Sequence, residues 1–291
     1  MRISIISAAL FPLVLAASAR AEDKPLKPKT LEPPPEGRAR FIADPLLDGG
    51  ILSISGGFAL LLNQIISTEE LTPQQPGPTD RLLSIDRGVV HQEPSATART
   101  ISNVGLYSSV AYAVGDSVYT GVADGAEAGW VDLIMYAETA AVTGAVTNLA
   151  KLAVRRPRPS AYRERDEIVA QGGTAPEVTS TNSALSFFSG HASMTAALSS
   201  TATYLAFVRS GPTRGYLTLA GGTAVTTVVC WGRVRGGVHF PTDVIAGAMA
   251  GIGIGVIVPH LHREAQLKQR PVWVGVLPTE GGGGLTLNGL F

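Results

Sequence analysis

The chain has 291 residues, enough to bury a full hydrophobic core, and one large domain with extensions is the simplest arrangement. Apolar residues make up 45% of it and charged residues only 16%, below the roughly 25% usual for soluble domains. The formal net charge is zero, so no global field attracts nucleic acid, no nucleic-acid partner is expected, and any basic site must be local. The only cysteine, Cys230, lies inside an apolar run and excludes an intrachain disulfide.

The N-terminus has the layout of a secretory signal peptide. Arg2 precedes an apolar stretch of about fifteen residues, and the sequence ARA forms an A-x-A cleavage site before Glu22. We therefore expect residues 1–21 to be a signal peptide and the mature chain to be exported. An uncleaved membrane anchor is the alternative interpretation.

Residues 22–100 are interpreted as an N-terminal leader with a helical extension. Residues 22–40 are rich in proline and charge and predict an extended leader. Residues 49–67 form an uncharged run that is long enough for a core helix or, marginally, for a membrane span. A proline-rich break and a mixed polar connector, at 82–99, follow this run.

Long apolar runs separated by Gly, Pro, Asp and Arg dominate the chain from Ile101 onward. Small residues are frequent in these runs and allow close helix contacts. The pattern predicts an all-α multi-helix bundle with transmembrane helices, and its catalytic domain is expected at 101–262. The predicted helical segments are 101–122, 130–154, 191–208, 216–231 and 242–259.

The C-terminal tail, residues 263–291, has a different pattern. The sequences PVWVGVLP and LTLNGLF flank TEGGGG, which favours a short hairpin.

Three joints between the apolar runs concentrate polar residues. The first, KLAVRRPRPS, carries Lys151, Arg155, Arg156 and Arg158 ahead of Pro159. Lys151 and Arg158 are seven residues apart and share a helix face while the helix lasts. Taken alone, this joint is equally compatible with a basic final turn that complements the helix dipole and stops at proline.

The second joint is FFSGHAS and the third is WGRVRGGVHFPTD. Ser189, Gly190 and His191 open a helix, where free backbone N–H groups and the positive dipole end face whatever lies in front. His239 and Asp243 are four residues apart, close enough for a carboxylate to hold an imidazole tautomer. Taken alone, each joint is also compatible with a helix cap that carries a surface histidine.

Together the joints supply what phosphate chemistry requires. Three cationic side chains can neutralise oxygens, and arginine can bind two oxygens at once. A hydroxyl and a backbone amide can add hydrogen bonds, and two histidines remain as candidate nucleophile and acid. These groups are Lys151, Arg158, Arg233, Ser189, Gly190, His191 and His239.

The spacing of these groups resembles the three-part signature of the type-2 phosphatidic acid phosphatase and vanadium haloperoxidase superfamily. The three blocks are Lys151-x6-Arg158-Pro159, Ser189-Gly190-His191 and Arg233-x5-His239-x3-Asp243. They occur in the family's order within residues 101–259. Phe188 stands where the family usually has proline, and Gly232 where it usually has serine, which removes one possible phosphate hydrogen bond.

The resemblance implies a metal-independent phosphatase that forms a phosphohistidine. In the family's mechanism His239 attacks phosphorus, Asp243 orients it, and His191 protonates the leaving oxygen and then helps to activate water. The positions that match the family's phosphate-binding groups are Lys151, Arg158, Ser189, Gly190 and Arg233.

No cofactor and no metal site is expected, and His260 and His262 are interpreted as polar residues that end a helix. Three further arginines lie outside the signature and are expected to capture polyanionic substrates or to be solvated. They are Arg155, Arg156 and Arg235.

The expected substrate is a phosphorylated lipid or a small phosphate ester, and the loop 160–188 is expected to form part of the entrance. The link 208–215 carries two arginines, and the positive-inside tendency then places the site on the periplasmic face of the inner membrane. A soluble periplasmic acid phosphatase, a vanadium-dependent haloperoxidase and a non-catalytic envelope protein remain as alternatives.

Overall fold

The computed structural model describes residues 39–68, 74–178, 180–264, 272–279 and 282–289, so the predicted signal peptide lies outside the described residues. Helices account for most of the described chain. In chain order they are α1 (Pro45–Ser67), α2 (Ser84–His91), α3 (Ala96–Asp124), α4 (Ala126–Val154), α5 (Pro159–Ala170), α6 (Gly190–Leu205), α7 (Pro212–Arg235) and α8 (Pro241–Leu261).

The prediction of an all-α bundle is confirmed, and the six predicted apolar runs are helical. α1 begins where the Asp44 carboxylate accepts hydrogen bonds from the backbone N–H groups of Leu46 and Leu47. A π-helical turn, Ala206–Ser210, extends α6, and Gly211 with a positive φ of 87° separates it from α7. Near the C-terminus, β1 (Val272–Thr279) pairs antiparallel with β2 (Gly282–Gly289), where the sequence favours a hairpin.

Two helices occur where the sequence predicted a polar connector and an entrance loop. α2 and α5 are short and rich in polar residues, so apolar periodicity gives little signal for them. They are stabilised by tertiary packing: Val89 and Val90 of α2 are buried in one cluster with Tyr162 of α5 and with Phe240. The rings of Tyr162 and Phe240 pack edge to face with centroids 5.6 Å apart.

The backbones of α6 and α8 are in direct contact along parallel axes. Gly247, Gly251 and Gly255 recur every four residues and share one face of α8. A Cβ atom at Gly251 would lie 2.1 Å from the carbonyl oxygen of Ser193, and one at Gly255 would lie 2.2 Å from that of Ala197. Only glycine permits this approach. Small residues commonly allow two helices to pack this closely.

α4 packs antiparallel to α6 through paired hydroxyl groups. Thr139 and Thr201 are hydrogen-bonded at 3.1 Å, and Thr147 and Ser193 at 3.0 Å. Because the α4 residue number rises as the α6 number falls, the C-terminal end of α4 lies beside the N-terminal end of α6. The same reasoning applies to α3 and α7, whose contacts bring the start of α3 to the end of α7.

Within the described residues, α1 and α8 are long and apolar enough to cross a membrane. Large apolar side chains on both helices point away from the bundle. Leu46 is 86% exposed, Ile54 76%, Leu60 73% and Met249 68%. Exposed apolar side chains of this size are typical of surfaces that contact lipid or another protein.

The glycine contact between α6 and α8 gives a prediction about stability. Gly251→Ala should lower the free energy of unfolding by about 2 kcal/mol or more, because the new methyl group forces the two backbones apart. Gly253→Ala is the matched control: a Cβ atom there meets nothing within 4 Å. Alanine at 253 should stabilise the helix by about 0.5–1 kcal/mol. Thermal unfolding of both variants measures the difference, and equal effects would contradict the proposed contact.

Candidate active site

The three joints of the signature meet where four helix ends converge. The C-terminal ends of α4 and α7 and the N-terminal ends of α6 and α8 lie together. The backbone N–H of Ser189 donates to the carbonyl of Asp243 at 3.1 Å, which joins the second block to the third. Lys151 of the first block lies beside the second, with its Nζ 3.9 Å from the position of a Cβ atom at Gly190.

His239 lies in the loop between α7 and α8 and is buried. Its Nδ1 is 2.8 Å from the carbonyl oxygen of Ser186 and 3.7 Å from Oδ2 of Asp243. Since a carbonyl oxygen only accepts, Nδ1 carries the proton and donates to Ser186. The lone pair of Nε2 is therefore left for chemistry. Asp243 acts on the ring through its charge, at a distance beyond a normal hydrogen bond.

The Asp243 carboxylate is fully buried and is held by three donors. Oδ2 accepts hydrogen bonds from the hydroxyl of Ser186 at 2.5 Å and from the backbone N–H of Phe240 at 2.9 Å. Oδ1 forms an ion pair with Arg156 at 2.6 Å. Ser186 thus contacts both His239, through its carbonyl group, and Asp243, through its hydroxyl group.

Arg156 differs from the sequence-based interpretation of a substrate-capturing or solvated charge. Its guanidinium bridges Asp243 and Asp86, the latter at 2.8 Å, and lies 4.0 Å above the ring of Phe240. Asp86 in turn accepts from the backbone N–H of Thr242 at 3.1 Å and from its hydroxyl at 2.7 Å. This network fixes the first turn of α8. Sequence reasoning did not find Asp86, because it lies in a short polar helix far from the motif.

The other two arginines outside the signature donate hydrogen bonds to backbone carbonyl groups. Arg155 adopts a left-handed conformation with φ 48° at the end of α4 and donates to the carbonyl of Leu152 at 3.0 Å. Arg235 donates to the carbonyl of Glu93.

His191 lies in the first turn of α6, with its Nε2 2.9 Å from Oδ1 of Asn103. Arg233 donates to the same oxygen at 3.4 Å. Arginine has only donors, so the atom that faces it is the amide oxygen, and Nε2 of His191 must carry a proton to bond with it. Asn103 was not found by sequence reasoning, because α3 carries no part of the signature.

The cations and histidines of the three blocks lie close enough to perturb one another. Burial, with Arg158 and Arg233 adding to it, lowers the pKa of Lys151 to about 8. Burial first, and then Arg233, Lys151 and Arg158, lower the pKa of His191 to about 4. His191 of the second block therefore lies near cations of the first and third blocks.

The same cations act on His239. Burial is the main cause that lowers the pKa of His239 to about 4, Asp243 opposes the shift, and Arg158 and Arg233 add to it. At neutral pH both imidazoles are therefore neutral and lie beside positive charge. Burial also lowers the pKa of Arg233 to about 10. The Nε of Arg233 is buried with no hydrogen-bond partner among the described residues, so it lacks the acceptor that an anion would supply.

Ser189 is the N-cap of α6, where its hydroxyl accepts from the backbone N–H of Ala192 at 3.4 Å. Accepting this bond leaves the hydroxyl proton of Ser189 available to a ligand. With the backbone N–H of Gly190 and the positive end of the α6 dipole, it adds neutral donors to the three cations.

The two departures from the family pattern are packing positions. A Cβ atom at Gly232 would lie 2.6 Å from the carbonyl oxygen of Ala98 in α3, so glycine is needed for the contact between α3 and α7. A serine side chain here would meet α3. Phe188 is buried and packs beside Gly247 of α8.

The PAP2 superfamily model matches residues 132–267 of the chain. This segment contains all three blocks of the signature and the helices that carry them. The match confirms the resemblance to the type-2 phosphatidic acid phosphatase superfamily that was seen in the spacing. Similarity to this superfamily indicates activity of the phosphatase or haloperoxidase type. No curated protein and no solved structure matches the chain.

The lowered pKa of Lys151 gives a prediction about pH dependence. The free protein loses the Lys151 charge as pH rises through about 8, so kcat/KM for a phosphate ester should fall above that pH. Lys151→Arg keeps a charge over this range and should move the fall to higher pH, with a lower maximum because the side-chain geometry differs. An unchanged alkaline limb in this variant would assign the fall to another group.

A second prediction concerns the bridge from Arg156. Arg156→Lys keeps the charge but cannot bond Asp86 and Asp243 in the same plane, so the loop that carries His239 should shift. We expect kcat to fall by about a hundredfold with a small change in KM, because Arg156 acts by positioning other groups. Arg155→Lys is the matched control and should keep kcat. Steady-state kinetics checks both, and a rise in KM alone would instead indicate direct substrate binding by Arg156.

Proposed function

We propose that this protein is a metal-independent phosphatase that hydrolyses phosphomonoesters or diphosphates through a phosphohistidine. The observation that carries the proposal is the group of three half-buried cations, Lys151, Arg158 and Arg233, beside two neutral imidazoles. Like charges gathered in one place repel one another, and a bound anion offsets that repulsion. A tetrahedral phosphate, with oxygens on several sides, matches cations and amide donors that come from four helix ends.

In the first step, the Nε2 lone pair of His239 attacks phosphorus and the bond to the leaving oxygen breaks. Nδ1 keeps its proton, so the phosphorylated ring gains positive charge. The Ser186 carbonyl and the Asp243 carboxylate lie on that side of the ring and stabilise the charge. Arg156 and Asp86 hold this pair in place.

His191 supplies the proton to the leaving oxygen. Burial and the neighbouring cations lower its pKa to about 4. A bound phosphate dianion offsets those cations, so the pKa of His191 rises when substrate binds. In the second step, water attacks phosphorus, His191 takes a proton from it, and the electron pair of the broken P–N bond returns to Nε2 of His239.

A lipid-linked phosphate is the substrate class that we favour. The exposed apolar faces of α1 and α8 support contact with lipid. A cavity of about 500 Å³ lies between α3, α6 and α7, lined by Leu198, Leu217 and Val225 among others. Val225 precedes Arg233 on α7 by eight residues, or about 12 Å of helix, so an apolar chain that leaves the phosphate pocket can reach this cavity.

Export supports a site on the periplasmic side, and this proposal depends on the signal-peptide pattern of residues 1–21. The arginines of the 208–215 link support this orientation less strongly than the sequence analysis indicated. Arg209 forms an ion pair with Asp132 at 2.6 Å, and Arg214 forms one with Asp116. The link therefore carries less uncompensated positive charge than its composition alone implies.

Removal of the nucleophile tests the mechanism. His239→Gln should reduce phosphate release in the presence of EDTA by at least about a thousandfold. The exposed histidine His91 provides a matched control, and His91→Gln should keep full activity. Labelled phosphate should be retained on the wild-type protein after rapid quenching in alkali and absent from His239→Gln. Near-normal turnover by His239→Gln would end the proposal.

A substrate panel separates the alternatives. With EDTA present, release from phosphatidate or isoprenyl diphosphate in detergent should exceed release from small soluble esters. A preference for soluble esters would favour an acid phosphatase of the periplasm. Oxidation of bromide by peroxide, dependent on added vanadate and without phosphate release, would instead identify a haloperoxidase that uses the same pocket.

A further inference from the structure

A second group of titratable side chains lies at the opposite end of α8 from the phosphate pocket. Asp48 in the first turn of α1, Glu138 in α4 and His262 after α8 are 3%, 1% and 6% exposed. The 21 residues of α8 span about 31 Å, so this cluster is remote from His239. The sequence-based interpretation of His262 as a polar residue that merely ends a helix is therefore wrong.

The hydrogen bonds of His262 fix which of its nitrogens faces the carboxylates. Nδ1 lies 2.8 Å from the carbonyl oxygen of Val258, so it carries a proton and donates. Nε2 lies 3.3 Å from Oδ1 of Asp48 and 3.2 Å from Oε2 of Glu138. A neutral ring would direct its Nε2 lone pair at two anionic oxygens, which is repulsive. A proton or a cation must therefore lie among the three groups.

Unpartnered atoms point to a ligand in the same place. Nε2 of His262 and Oε1 of Glu138 are buried and make no hydrogen bond within the described part of the chain. The other oxygen of Asp48, Oδ2, is already used, because it accepts from the backbone N–H of Asp44 at 2.7 Å. The cluster also borders a cavity of about 260 Å³, lined by Ile51, Val142 and other residues, that leaves room for a further ligand.

A proton accounts for this arrangement less well than a divalent cation does. A protonated His262 balances only one carboxylate, so a second proton on Glu138 would also be needed, whereas a single divalent cation balances both carboxylates. The ligand atoms all lie within 4.8 Å of one another. Bonds of about 2.1 Å in a tetrahedral site separate neighbouring ligands by about 3.4 Å, close to the two measured separations. The bond from Nδ1 to a backbone carbonyl is the usual second contact of a metal-binding histidine.

We propose that Asp48, Glu138 and His262 bind a divalent transition-metal ion of the Zn²⁺ class, for which one imidazole and two carboxylates are suitable ligands. The ion links α1, α4 and α8 at the end of the bundle away from the phosphate pocket. The backbone N–H of Ile42 also donates to the carbonyl of His262 at 3.0 Å, which fixes the segment before α1 beside the cluster. The role assigned to the ion is to hold α1 on the bundle, with no part in phosphoryl transfer.

The test uses the full-length protein in detergent, stripped with a chelator and dialysed against Zn²⁺. Elemental analysis should find one ion per chain, and a hundredfold excess over Kd should raise the Tm by about 5 °C or more. Glu138→Gln keeps the side-chain volume and should lose both effects. His91→Gln removes an exposed imidazole elsewhere and should keep both.

Three outcomes would overturn the proposal. Absence of bound zinc in the dialysed wild-type protein would indicate that protons, and not a metal ion, lie between His262 and the carboxylates. A Tm that does not respond to zinc would indicate the same. Equal zinc content in Glu138→Gln would place the ion elsewhere. If Glu138→Gln does not fold, the zinc content and Tm of the wild-type protein decide the matter alone. Phosphate release by the chelator-treated protein at low temperature is a separate measurement. Loss of that activity would contradict the metal-independent phosphatase mechanism and not the metal site.

Discussion

The backbone contact between α6 and α8 is the constraint on which the rest of the structure depends. Glycines at every fourth position of α8 let its axis approach the carbonyl groups of α6, and the approach fixes the register of the two helices. Because the helices are parallel, their N-terminal ends lie at the same level. His191 and Asp243 occupy those two ends, and His239 lies immediately before the second. The site is thus a consequence of how closely two helices pack.

Charge is distributed unequally around the two histidines. On one side, Lys151, Arg158 and Arg233 face a pocket in which burial and mutual repulsion lower the pKa of the lysine. On the other side, Asp243 and Asp86 are neutralised by Arg156. The protein therefore places a cluster of cations next to a neutralised ion network. The network holds the geometry, and the pocket provides the attraction for an anion.

The sequence allowed the helical class and the pocket residues to be predicted, because long apolar runs and fixed motif spacings are local signals. Other features depend on contacts between distant segments and left no such signal. α2 and α5 are helical through packing with Phe240, and Asp86 and Asn103 reach the site only through the fold. His262 was misinterpreted for the same reason: its carboxylate neighbours come from α1 and α4. The position of the Ser186 carbonyl beside His239 likewise depends on the path of the loop before α6.

The phosphate site combines the positive ends of two parallel helix dipoles with three cations. This concentration of positive charge affects how readily a product anion leaves. These groups repel one another most strongly when no anion is bound. Release of an anion therefore raises the electrostatic free energy of the protein. Under the proposed mechanism, inorganic phosphate is the natural resting occupant. The enzyme is then expected to be inhibited by its product phosphate. Its turnover rate depends on how fast that phosphate is replaced by the next substrate.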